Sequence, residues 1–89
     1  MNILLSVTAT EVGRFYEAST EKTTVSVSVC RHYMRVCVHN SSASLNRFFG
    51  GKIFHGDNRF ALALAAYKSS AVKAILETIR NEEAKAKGT

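Results

Sequence analysis

The chain contains no proline and no tryptophan, and only two cysteines and five glycines in 89 residues. Without proline, turns have to be marked by glycine and by Ser/Asn clusters. Two cysteines, Cys30 and Cys37, cannot make a disulfide framework, so a reduced, cytoplasmic setting is expected. The run Ile3, Leu4 and Leu5 is too short for a secretory segment and lacks a basic flank. Long apolar runs are missing as well, because Lys68, Ser69, Ser70 and Lys73 interrupt the only stretch approaching the ~20 residues that cross a bilayer.

Carboxylates are absent from the middle of the chain. None lies between Glu21 and Asp57, whereas Lys22, Arg31, Arg35, Arg47 and Lys52 all fall there, with His32, His39 and His55. The net charge of +5 permits an anionic partner without requiring one. The length suits a single domain with one core.

What is present is strand alternation followed by helical periodicity. Ile3, Leu5, Val7 and Ala9 alternate with more polar neighbours and read as a strand. Residues 12–18 suit helix or strand, and strand is the reading adopted, with a turn over Ser19, Thr20, Glu21 and Lys22. Val25, Val27 and Val29 alternate with Ser26, Ser28 and Cys30, and Met34, Val36 and Val38 alternate with Tyr33, Arg35, Cys37 and His39.

These two runs predict a hairpin around Arg31 and His32. Val29 then meets Met34, Val27 meets Val36 and Val25 meets Val38, while Ser28, Ser26 and Thr24 on the other face meet Arg35, Cys37 and His39. A slip of one residue would set valines against polar groups, so burial of one face fixes the pairing. Beyond it, residues 40–44 read as a polar loop and Leu45 to Phe49 as a strand or a single turn. Ile53 and Phe54 anchor the segment that follows Gly50 and Gly51.

From Asp57, expected as an N-cap, to about Arg80 the spacing predicts a helix. Phe60, Ala63, Leu64, Tyr67, Ala71, Ala74 and Ile75 share one face, and Arg59, Ser70, Lys73, Glu77 and Arg80 share the opposite one. Adding Val72, Leu76 and Ile79 widens the apolar arc past half the circumference, more than one sheet can cover. A straight rod of that length would also reach ~36 Å, against ~23 Å for a strand of about seven residues. Either the helix breaks near Lys68 to Ser70, or the surplus face meets another subunit. Lys73–Glu77 and Glu83–Lys87 are expected surface pairs, and Gly88 a helix stop.

Cys30, His32, Cys37 and His39 resemble a metal set in composition. The register opposes this reading, since it puts Cys37 ~13 Å from Cys30 along the strands, too far for one tetrahedral ion or a disulfide. Residues 47–54 fit neither a phosphate loop, which needs Gly-Lys-Ser/Thr, nor the aromatic motif of RNA-recognition domains, whose βαββαβ order a sheet-first chain lacks. What survives there is a glycine-flanked basic loop with Arg47, Phe48 and Lys52.

The carboxylates stand apart from the histidines, except for Asp57 beside His55, and no nucleophile motif is present. Enzyme activity, a metal and a cofactor are therefore not expected.

The expectation is an α+β fold: an antiparallel sheet of three or four strands with one long or two shorter C-terminal helices on its valine face. The expected function is a small non-catalytic interaction protein, an inhibitor or adaptor acting on a larger protein or nucleoprotein complex. Anti-defence proteins of phage, such as the anti-CRISPR class, are of this general kind. Direct nucleic-acid binding through a basic sheet face, carrying Arg35 and His39, and the Gly50-Gly51 loop is the alternative. Arg31, Arg35, His39, Arg47, Phe48 and Lys52 are the expected contact residues, with no membrane partner, and the chain is expected to be a monomer or a homodimer through its C-terminal helix.

Overall fold

The computed structural model describes residues 2–40 and 51–87. Five strands, β1 (Leu4–Ala9), β2 (Gly13–Ser19), β3 (Thr23–Cys30), β4 (Tyr33–Asn40) and β5 (Lys52–His55), precede two helices, α1 (Arg59–Ala66) and α2 (Ser70–Lys87). The strands form one antiparallel sheet in the order β1-β2-β3-β4-β5. Both helices lie on one side of it, α1 against β4 and β5 and α2 against β2 and β3.

The β3–β4 register agrees with the expectation pair by pair, from Thr24 opposite His39 to Val29 opposite Met34. Val25, Val27, Val29, Met34 and Val36 all reach the core. The count of strands is five rather than three or four. The additional strand, β5, pairs Ile53 with Arg35 and Phe54 with Met34. Four residues are too few to display alternation, and Phe54 alone carries its core contact.

Glycine is needed where this layer closes up. A Cβ at Gly51 (φ +99°) would lie 2.6 Å from Cys37 Sγ and 2.8 Å from the Val36 carbonyl oxygen. At Gly13, where β2 passes β3, it would lie 2.2 Å from the Val29 carbonyl oxygen.

The helical stretch is broken. Tyr67 ends α1 in an extended conformation (φ −107°, ψ 132°), and α2 begins three residues on. The Val72 N–H donates to Ser69 Oγ at 3.4 Å, so the polar Lys68-Ser69 step supplies the second helix with its own cap. The change in direction lets Val72, Ile75, Leu76 and Ile79 join Ala63 in the core. Each large aliphatic side chain buried there contributes about 1.5–3 kcal/mol. The surplus apolar face is thus filled by the chain's own sheet.

Three local expectations are corrected. The N-cap position of α1 is Asn58, with no side-chain cap, and Asp57 lies one residue outside it. Arg59, placed on the solvent face by a straight wheel, is buried; its guanidinium donates to the carbonyl oxygens of Gly56 at 3.0 Å and Cys30 at 3.3 Å. It ties the start of α1 to the end of β3. Finally, Glu77 pairs with Arg80 at 3.3 Å, and Glu83 also reaches inward to Arg14 on β2, while its expected pairing with Lys87 lies outside the described side chains.

The expectations for residues 41–50, Arg47 and Phe48 among them, and for Gly88 lie outside the described residues.

Candidate functional surface

The pleat sends alternate side chains of every strand away from the helices. On that second face, Thr8, Phe15, Ser28, Arg35 and Ile53 stand opposite one another in a row crossing all five strands. Next to it, at the β3–β4 turn, come Cys30 and Tyr33, with His55 opposite Tyr33. The Tyr33 and His55 rings lie 6.3 Å apart, tilted by 46°. A hydrogen bond to Cys30 is the main cause that raises the Tyr33 phenol above the usual tyrosine value.

Exposure on this face is graded. Thr24 and Ser26 are buried, and Ser26 Oγ and both ring nitrogens of His39 are shielded without a hydrogen-bond partner among the described residues. Toward the turn the surface opens, with Tyr33 40% and Ile53 53% exposed. Val12, Phe15, Ser28, Cys30, Tyr33 and Arg35 line a shallow concavity of about 270 Å³ there. Arg14 also lines it, and arginine set among aromatic and aliphatic groups is the composition that carries energy in protein interfaces.

The expected contact residues do not form one patch. Arg35 is exposed on this face and Arg31 is exposed at the adjoining turn, so these two share one half of the sheet. His39 lies four residues further along β4, ~14 Å from Arg35. Lys52 is on the other side altogether. It pairs with Val36, a core residue, and paired residues point the same way; its Nζ stands 5.1 Å over the Tyr67 ring.

The basic sheet face expected from the sequence is correspondingly weaker among the described residues, where Arg35 is offset by Glu17. The cation excess of the middle segment is dispersed by topology: Lys22 to the β2–β3 turn, Arg31 to the β3–β4 turn and Lys52 to the helix side.

The thiols follow the register. Cys37 lies opposite Ser26, and Cys30 ends β3 beside Gly13; neither is in a disulfide.

A second polar cluster lies under α2. Glu83 accepts hydrogen bonds from Arg14 Nη1 at 3.2 and 3.4 Å and from the Tyr16 hydroxyl. Tyr16 and Glu83 are buried, while the Arg14 side chain is partly exposed. Burial first, and then the bond to Glu83, push the Tyr16 phenol up from its ordinary value. All three side chains are occupied with one another, which suits a clamp between β2 and α2 more than a reacting group.

Sequence reasoning missed Phe15 and Tyr33 as surface groups, and it missed the Arg14–Tyr16–Glu83 cluster. The register already set Tyr33 beside Cys30, a usable signal. Nothing local links Arg14 to a residue 69 positions away.

Comparison of the chain with protein-family models, with curated proteins and with solved structures finds no match. No helix among the described residues is long and apolar enough to cross a membrane.

Proposed function

We propose that this chain is a small non-catalytic interaction protein, an inhibitor or adaptor, that docks a larger protein or nucleoprotein complex on the turn-proximal half of its open sheet face. The supporting observation is the concavity at the β3–β4 turn in which Val12, Phe15 and Tyr33 stand with Arg35, and in which the other arginine, Arg14, is paired with Glu83. Aromatic and aliphatic groups around so few cations favour a protein surface, because phosphate binding draws on accumulated cations. A cytoplasmic setting is part of this reading and accords with two cysteines that form no disulfide. No cofactor is invoked.

Affinity capture from lysate of the source cells, with and without nuclease, tests this. A partner retained after nuclease treatment, and lost about tenfold or more with Arg35→Glu or Tyr33→Ala, is the expected result. Retention unchanged in both variants overturns the choice of face.

Nucleic-acid binding is kept as the second reading because Phe15, Tyr33 and His55 offer ring faces beside Arg35 on a sheet. It predicts binding to generic single-stranded RNA or DNA that weakens steeply with salt. No binding at low ionic strength would eliminate it.

A further inference from the structure

The two edges of the sheet are built differently. β5 has four residues, carries Lys52 and His55, and is bounded by Gly51 and Gly56. Shortness and a lysine are how sheets discourage further pairing. β1 has six residues, LLSVTA, with no charge and no proline, and its outer edge has no partner strand among the described residues. The helices are packed over β2 to β5, so the core thins toward β1; Leu5 is half-buried, and Val7, on the same side, is 47% exposed.

We propose that β1 pairs antiparallel with β1 of a second copy, joining two sheets into one continuous sheet about a two-fold axis. Charge favours a copy meeting here. Each chain carries +5, so like charges oppose approach elsewhere, whereas this strand brings none. Closure favours it as well: the contact is isologous, uses up the unprotected edge of both copies and leaves the short β5 edges outermost, so it ends at two.

The pleat limits the register. Directly opposed residues must lie on the same face, which allows Leu5 opposite Val7, with Ser6 on the axis, or Leu5 opposite Ala9, with Val7 on the axis. Either one places Val7 against apolar groups of the copy. The strand is only ~20 Å long and buries an area well under the ~800 Å² per partner of a standard interface, so association is weak and concentration-dependent. The two open faces then lie side by side, presenting two copies of the Arg35 concavity.

Sedimentation velocity over a concentration series tests the proposal, with Val7→Lys and Leu4→Lys as edge variants and Ile53→Lys as the control on the β5 edge. Leu4 is 76% exposed, so both β1 variants change solvent-facing positions and should keep the far-ultraviolet circular dichroism of the wild type. The expected result is a monomer–dimer equilibrium that strengthens with added salt, weakens about tenfold or more in both β1 variants and persists in Ile53→Lys. A wild-type chain that stays monomeric at all concentrations overturns the proposal. So does a dimer abolished by Ile53→Lys and untouched by the β1 variants.

Discussion

Along β3 and β4 the same sixteen residues build two opposite surfaces. On one, Val25, Val27, Val29, Met34 and Val36 meet Ile75, Leu76 and Ile79 and are sealed from water. On the other, Ser28 and Arg35 head a row that runs out to Phe15 and Ile53, with no helix over it among the described residues. Their difference lies in what covers them: one side holds the fold, and the turn-proximal half of the other is the proposed docking surface. Substitutions should therefore sort by face.

The largest effect is expected in the covered side. Ile75→Ala removes a fully buried side chain that the sheet cannot replace, at a cost of about 2–5 kcal/mol read from urea or thermal unfolding. An effect as small as that of an open-face substitution would break the comparison at once.

Next comes the clamp at the margin of the covered side. Tyr16→Phe removes the hydroxyl that serves Glu83 and should cost about 1–3 kcal/mol. Its pH dependence is informative. The folded state raises the Tyr16 pKa above its ordinary 10.0, so the unfolded chain gives up this proton first. Stability from Tyr16 is complete below about pH 10 and is lost as the pH rises through the raised folded value. Tyr16→Phe should flatten that alkaline arm of a stability–pH curve relative to the wild type.

The smallest effect on stability belongs to the open face. Arg35→Glu should stay within about 1 kcal/mol of the wild type in unfolding experiments, even though partner capture falls. A large loss of stability there would show that the open face also holds the fold together.

Much of this division was legible from the order of residues. Valine and serine alternate through β3, a slip of one residue would set valine against polar groups, and a tight turn at Arg31 and His32 then gives the register pair by pair. The excess of apolar positions on the helical stretch, set against Lys68 to Ser70, likewise called for a break or a second surface to cover it. β5 was not legible, because its four residues hold too little pattern and its strand character comes from pairing with β4.

The candidate site was less legible than the fold. Arg35 emerged from the register, but Lys52 was read as part of a glycine-flanked basic loop and grouped with Arg35 as a contact residue. Its pairing with Val36 sends it to the opposite side. Arg59 was misplaced by a wheel that treats every exposed-looking angle as solvent; the carbonyl oxygens of Gly56 and Cys30 make a buried guanidinium tolerable there. Phe15 joined the site through a row of cross-strand neighbours, a relation that alternation within β2 alone cannot express.

By itself, then, the sequence determined the alternation of faces, the β3–β4 pairing and the need for the helical segment either to break or to find a second surface to cover it. These follow from periodicity and hydrophobic burial, which are local and nearly independent of partners. Only the tertiary structure decided which charges share a surface, which carboxylate is buried and which sheet edge is left open. Those depend on residues far apart in the chain, such as Arg14 and Glu83, meeting at distances that sequence spacing does not encode.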